Sequence, residues 1–565
     1  MKHLLAVFLC SSVVFAQQAP APATLVLRNG KVVTVDAAVP EAQAIAIRGD
    51  RIAAVGSNES IQQYVGASTQ VIDLHGQLAI PGIIESHGHF MGLGQSKMTL
   101  DLMDVKDWNE IVAMVSDAAK QARPGEWILG RGWHQEKWSS VPNPNVEGFP
   151  FHDELSKVSP NNPVMLTHAS GHASFVNAKA MELSNITRTT VNPAGGEILK
   201  DTAGRPIGLL RETASGLANR ALEQWQQTKT PAERDADARR QLELAVQASL
   251  EQGVTSFHDA GEPFSSIDTI ERFAADGKLG IRLFVMMRDS VENLRANVAK
   301  YKSTGLHDNH LTIASIKMVA DGALGSRGAW MLEPYSDSPS SVGLPTTPME
   351  SIAEISRLAL ETGVQLCVHA IGDRANREVL NVYERAYKSR PDLKDLRWRV
   401  EHAQHISAAD IPRFGQLGVI AAMQGIHATS DAPYVLARLG AKRAEEGAYV
   451  WQKLMKSGAI VANGTDVPVE RIDPMANFYA TITRKTKDGS VFFGDQKMSR
   501  AEALKSYTWN GAYAAKEESI KGSITVGKLA DITVLSKDIM TAAEEEIPTT
   551  QAVYTIVGGK ILYQR

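Results

Sequence analysis

The stretch AIPGIIESHGHF, Ala79 to Phe90, decides how the rest of the chain is read. An apolar run broken by Pro81-Gly82 ends in two histidines one residue apart. Along an extended strand, side chains two apart leave the same face. His87 and His89 therefore point together, with Gly88 adding no bulk between them. Paired imidazoles at the end of a buried strand pose a question about what they face.

Working outward toward the C-terminus, short apolar runs alternate with helical segments, the pattern of βα units around a parallel sheet. Eight candidate strands follow in order: LAIPGIIESH, GVTSFHDA, GIRLFVMM, TIASIKMVADG, GVQLCVHAIGD, RWRVEHAQ, GVIAAMQ and AIVANGTDVP. Helical segments such as DADARRQLELAVQASLEQ and MESIAEISRLALETG separate them. Eight such units are what a closed (β/α)8 barrel of the TIM type requires. A doubly wound open sheet is the alternative. Residues from about 95 to 230 break the repeat, with WILGRGWHQEKW, PVMLTHASGHASFVN and a Pro/Gly-rich stretch near Asn192 to Gly208. That interval reads as an insertion after the first strand, over the mouth where such barrels carry their sites.

Both ends of the chain have a different grammar. TLVLRNGKVVTVD is expected to fold as a hairpin at Asn29-Gly30, AIAIRGDRIAAVG at Gly49-Asp50, and AVYTIVGGKILYQ at Gly558-Gly559. Neither end has enough strands to bury a sheet alone. The economical expectation is one small composite β-sandwich domain, residues 24–78 with 520–565, enclosing a barrel over 79–519. Two separate small domains are the alternative. At the N-terminus, MKHLLAVFLCSSVVFA reads as a signal peptide over residues 1–16, with an export expectation of periplasm or medium. Residues 17–23 follow as a linker. An N-terminal core segment is the alternative. The apolar run is too short to span a bilayer. Removal of Cys10 with that segment would leave Cys367 alone, so no internal disulfide is expected.

The 565 residues are 44% hydrophobic and 22% charged, ordinary for a large globular chain. A formal net charge of −4 gives no support for nucleic-acid or basic membrane-surface binding. The partner expected is a small molecule, and a homo-oligomer is compatible with the composition.

Polar residues at the strand ends give the chemistry. The first strand ends in His87 and His89, the fourth carries Lys317, the fifth and sixth bring His369 and His402, and the eighth ends at Asp466. In a barrel these ends converge. Four imidazoles and a carboxylate there form a divalent-metal site, zinc above all. Each has a plainer reading: a satisfied core histidine, a turn aspartate, or a Lys317–Asp321 salt bridge that neutralises a buried cation.

Taken together, the motifs PGIIESHGH, KMVADGALGSRGAW, VHAIGDRAN, VEHAQ and GTDVPV resemble the amidohydrolase superfamily, in particular its family-3 branch with N-substituted formamide deformylases. The resemblance runs over essentially the whole chain after the N-terminal segment. It implies that His87, His89, Lys317, His369, His402 and Asp466 hold one or two divalent ions, with Lys317 N-carboxylated. It implies hydrolysis of a non-peptide carbon–nitrogen bond by metal-activated hydroxide, with Asp466 as the catalytic proton carrier. Glu85 departs from the aspartate common at its place. A deaminase or cyclic-amide hydrolase on the same scaffold is the competing enzyme reading. A non-catalytic solute-binding protein would have lost a ligand or Asp466, and neither is missing. For substrate contacts the likeness points to the insertion: His172 first, with His168, Trp133 and neighbouring His134. Asp321, Arg327 and His427 are candidates near the strand ends, and His258 and Asp259 close the second strand. Cys367 is expected to be a small core residue.

Overall fold

A computed structural model describes residues 20–565. The signal-peptide expectation falls outside them, as does the start of the linker. Eight parallel strands form the central sheet: β1 Ile83–Gly88, β2 Val254–Glu262, β3 Arg282–Met287, β4 Leu311–Val319, β5 Gln365–Ala370, β6 Arg399–His402, β7 Ile420–Met423 and β8 Val461–Asn463. Each pairs in parallel with the next, from β1 through β8. The ring is drawn shut just past the strand ends. The Asp466 N–H donates to His87 O at 2.8 Å, and the His89 N–H to Val467 O at 2.7 Å. The barrel expectation holds, and all eight quoted runs supply a strand. They were legible because strands covered on both faces are nearly continuous apolar runs.

The helices between them start and stop where side chains direct. Pro231–Glu251, ahead of β2, opens on a reciprocal capping box between Thr230 and Glu233 with Pro231 in its first turn. Its inner face buries Leu242, Ala245 and Ala248 against the barrel core.

The first quoted run serves two sheets. Leu78–Pro81 pairs with Lys31–Val33 and with Ile532–Leu535 in a six-stranded sheet built from both ends of the chain, while Ile83 onward joins the barrel. Gly82 is the crossing point. A Cβ there would stand 2.1 Å from Thr255 Oγ1, so only glycine lets the backbone pass β2 this closely. A four-stranded sheet, Leu25–Arg28, Ala44–Arg48, Arg51–Gly56 and Gln70–Asp73, packs on the six-stranded one. Leu25, Leu27, Ile45, Ile47, Ile532, Val534 and Ile556 form their shared core.

One hairpin expectation fails. Leu25–Arg28 and Lys31–Val33 do not pair across Asn29-Gly30; they enter different sheets of the sandwich. Turning the corner buries Leu27 and Val32 in one core, which a flat hairpin would leave half exposed. The other two hairpins form at Gly49-Asp50 and Gly558-Gly559.

The insertion folds around a six-stranded mixed sheet that includes Leu100–Asp101, Ile128–Trp133, Val164–His168, Ala173–Val176, Gly196–Lys200 and Pro206–Glu212. It touches the barrel mouth through Arg131, whose Nε donates to Pro468 O at 3.1 Å. Among the described residues no helix is long and apolar enough to cross a membrane.

Candidate metal centre at the barrel mouth

A cavity of about 460 Å³ opens between the barrel mouth and the insertion. His89, Lys317, His369, His402, His427 and Asp466 line it from the strand ends, and Arg131, His134 and His172 line it from the insertion. His87 lies beneath, fully buried.

Asp466 is the hub. Its Oδ1 lies 3.5 Å from His87 Nε2 and 3.4 Å from His89 Nε2, and its Oδ2 lies 3.9 Å from His427 Nε2. His87, His89 and Asp466 form one set of atoms close enough to share an ion; His402, His427 and Asp466 form another. His369 packs its ring 4.5 Å from that of His402, and its Nε2 lies 3.5 Å from Asp321 Oδ1. The geometry thus brings together five of the six expected ligands by direct contact, with Lys317 beside them on the cavity wall.

The imidazoles are oriented from behind. His87 Nδ1 donates to Glu401 Oε2, and His402 Nδ1 donates to Gln424 Oε1 at 2.8 Å. Each leaves Nε2 with its lone pair toward Asp466, the arrangement by which an outer hydrogen bond fixes a ligating tautomer. His427 differs. Gln404 Nε2 donates to its Nδ1 at 3.0 Å, so its Nε2 carries the proton and faces the cavity as a donor. Nε2 of His87, His369 and His427 and Oδ1 of Asp466 are buried without a hydrogen-bond partner. Orphaned buried polar atoms are rare because each costs free energy. The neutral nitrogens of His87 and His89 converging on the Asp466 carboxylate fit a divalent cation, whereas the protonated His427 Nε2 is a donor and not a ligand.

Electrostatics favour the same states. Burial pushes His87 down to about 4 and lowers His89, His369 and His402, keeping the rings neutral. Burial works to raise Asp466, but His89, His402 and His87 outweigh it and hold the carboxyl well below the usual range. Lys317 is pushed down by burial to about 8, which makes its amine far more available than an exposed lysine's. His402 and Asp466 both sit at left-handed backbone angles, φ 75° and 59°. Non-glycine residues hold such angles where the surroundings impose them, commonly at functional sites.

Two buried charges support the centre and were not among the expected site residues. Glu401 takes Arg399 Nε at 2.6 Å and Nη2 at 3.0 Å, both side chains fully enclosed. Arg399 also donates to Ser86 O at 2.6 Å and meets His258 Nδ1 at 3.1 Å. The signal was present in RVEH: Arg399 and Glu401, two apart on a barrel strand, share its inner face. Glu85 accepts the Thr465 N–H at 2.6 Å and its hydroxyl at 3.1 Å, tying β1 to the end of β8.

The expected substrate residues divide. His172 and His427 line the cavity, with His172 Nδ1 held by Glu212 Oε2 at 2.8 Å. His168 stands behind the wall, bonded to Ser170 Oγ at 2.8 Å and Gln135 Oε1 at 3.1 Å. Trp133 packs in the insertion core and donates to Leu166 O at 2.8 Å. Asp321 is not among the cavity-lining residues and, among the described residues, makes no ion pair with Lys317; it is buried and accepts the N–H groups of Trp330, Ile371 and Gly372 at 2.8, 3.0 and 2.8 Å. Arg327 pairs with Asp337 at 2.9 Å and is not among the cavity-lining residues.

Residues 70–563 match the amidohydrolase family. The chain is 32% identical over 553 residues to Protein LONG AFTER FAR-RED 3 of Arabidopsis thaliana, covering 96% of this chain and 92% of that one. It is 28% identical over 553 residues to N-substituted formamide deformylase of Arthrobacter pascens, covering 96% of this chain and 98% of that one. The crystal structure of an uncharacterized metal-dependent hydrolase from Pyrococcus horikoshii superposes with a TM-score of 0.74 at 25% identity, covering 92% of this chain and 99% of that one. The chain belongs to the amidohydrolase family, and it is a metal-dependent hydrolase acting on carbon–nitrogen bonds.

Proposed function

We propose that the mouth holds one or two zinc ions through His87, His89, His369, His402, Asp466 and a carboxylated Lys317. The substrate is a small molecule with a non-peptide, amide-like bond of the kind the formamide deformylase's name describes. The observation that carries this reading is the convergence of His87 Nε2 and His89 Nε2 on Asp466 Oδ1 within 3.5 Å, with that oxygen otherwise unpartnered. Carboxylation would turn the Lys317 amine, already shifted toward neutrality, into an anionic oxygen donor.

A divalent ion at this place supplies Lewis acidity, polarising a carbonyl and making water acidic enough to attack near neutral pH. The chain's own residues do the rest. Asp466 accepts the proton of the attacking water and delivers it to the leaving nitrogen. The His427 Nε2–H, held by Gln404, donates toward negative charge developing on the carbonyl oxygen. His172, held by Glu212 on the insertion, faces the substrate from above.

Asp466→Asn tests this reading. Asparagine keeps the shape and one oxygen but takes no proton. On an amide substrate turned over by the metal-replete wild type, kcat should fall about 10²-fold or more. A kcat within a fewfold of wild type would remove Asp466 from proton transfer.

We also propose that the chain is exported, its first 16 residues being removed; the composition of that segment supports this.

A further inference from the structure

Some charged groups around the cavity already have partners, although Lys137 on the insertion side has no ion pair among the described residues. Arg131 gives Nε to Pro468 O and Nη2 to Ala169 O, at 3.1 Å each. Asp431, on the opposite side, accepts the hydroxyls of Tyr434 and Tyr449. Arg288 is different. It sits one residue past the end of β3, its backbone N–H held by Glu262 O at 2.9 Å, and its side chain lines the cavity. Among the described residues no carboxylate lies within ion-pair distance of its guanidinium, although the field of Glu262 reaches it. That carboxyl is itself pushed up to about 7 by burial and lies beside buried Asp259, so it compensates the arginine only weakly.

The position of Arg288 relative to the reacting centre is fixed by Gly261. A Cβ built there would come within 2.9 Å of Arg288 Cδ and 3.2 Å of Lys317 Cγ. The two side-chain stems therefore pass the same backbone point and run side by side toward the cavity. Arg288 is solvent-exposed within the cavity, and its guanidinium presents there a planar fork of donors that matches a carboxylate.

From this we infer that Arg288 is an anion-recognition residue, and that the substrate is an amide carrying a carboxylate close to its scissile bond. The inference rests on the proposed amide hydrolysis at the neighbouring centre, yet binding can be read without turnover. Across the cavity, Asp431 and Glu470 line the β7–β8 side. A carboxylate entering the cavity is thus drawn to the β3 wall and repelled from the opposite one, which fixes the direction in which the scissile bond lies across Asp466.

The test uses N-formylphenylalanine and N-formylphenylalaninamide, equal in shape and differing in one charge, with full-length metal-replete protein. Calorimetric binding to wild type should favour the carboxylate by about 10- to 100-fold, the range of charge-assisted hydrogen bonds. In Arg288→Met the ratio should collapse toward one, and Arg288→Lys should restore part of it. The Lys317 centre could itself attract a carboxylate, but that attraction would persist in Arg288→Met. Equal affinity for both compounds in wild type, or a carboxylate preference that survives Arg288→Met, whether it then proves to come from Lys137 or from the Lys317 centre, would overturn the assignment. Carboxylate preference without hydrolysis of either compound would support the anion site and count against the amide reading alone.

Discussion

Replacing Glu401 by glutamine should damage stability and metal binding together, for separable reasons. The carboxylate holds two partners at once: Arg399, through Nε at 2.6 Å and Nη2 at 3.0 Å, and the Nδ1–H of His87. Arg399 and Glu401 are both 0% exposed in their side chains. Glutamine keeps the shape but removes the negative charge, leaving a guanidinium in the barrel interior without a counter-ion. Breaking a buried pair from one side costs about 3–5 kcal/mol. For a domain of this size that corresponds to a fall of roughly 3–5 °C in Tm. His87 loses its anionic support too, and changes to such outer partners typically lower metal affinity about 10- to 100-fold. Differential scanning calorimetry with competitive chelator titration reads both quantities. The double variant Arg399→Met, Glu401→Gln separates them. With no unpaired charge left, most of the lost stability should return, whereas metal affinity should stay low because a neutral amide oxygen holds His87 less strongly. A single variant within about 1 °C of wild type, with metal affinity within twofold, would refute the supporting role assigned to this pair.

Asp531→Ala should lower stability by about 3–5 kcal/mol, because its carboxylate takes buried Arg282 at 2.7 and 3.0 Å and the Gly558 N–H at 2.9 Å. Burial tends to raise Asp531, but Arg282 outweighs it and the folded value is lowered. Its contribution is therefore complete above the ordinary carboxylate value of about 3.9 and fades as pH falls through the lowered one. The gap in Tm between wild type and variant should narrow on acidification; a constant gap would contradict the sign. Lys317→Ala should lose bound metal by elemental analysis, with activity partly restored by short-chain carboxylates; unchanged metal content would reduce the lysine to a structural role. N-terminal sequencing of protein recovered from an exporting host should begin at Gln17, and an intact Met1 on the soluble protein would count against export.

The barrel and its histidines were legible because both signals are local. A strand buried on two faces is an unbroken apolar run, and a ligand at its end is the polar residue that stops the run, as in SHGH, VHA and VEH. What failed depends on contacts that spacing does not carry. In GRGWHQEKW, Trp133 looks like a pocket residue, yet the strand register shifts between Arg131 and Trp133 at Gly132, φ 110°. A bulge re-aims every later side chain, so Arg131 and His134 face the cavity while Trp133 turns into the insertion core. Asp321 follows Lys317 closely in sequence, but its oxygens belong to N–H groups of Trp330 in its own loop and of Ile371 and Gly372 after β5. Asn29-Gly30 carries ordinary hairpin chemistry; whether its flanking strands pair or part is decided by a core completed by Ile532 and Val534.

The division of the first strand at Gly82 has a consequence for the order of events during synthesis. Leu78–Pro81 finds its antiparallel neighbour in Ile532–Leu535, with Leu78 set against Leu535. The peptide segment that runs directly into His87 and His89 therefore gains its outer partner only after nearly all of the barrel has left the ribosome. Until then Leu78–Pro81 is held in its own sheet by Lys31–Val33 alone. Contacts of such sequence separation form late, because the intervening loop must close first. An exposed apolar edge beside two imidazoles is a hazard for a growing chain. Fusions or deletions near residue 535 should thus be felt first as misassembly of the metal-binding strand, far away in sequence from the change.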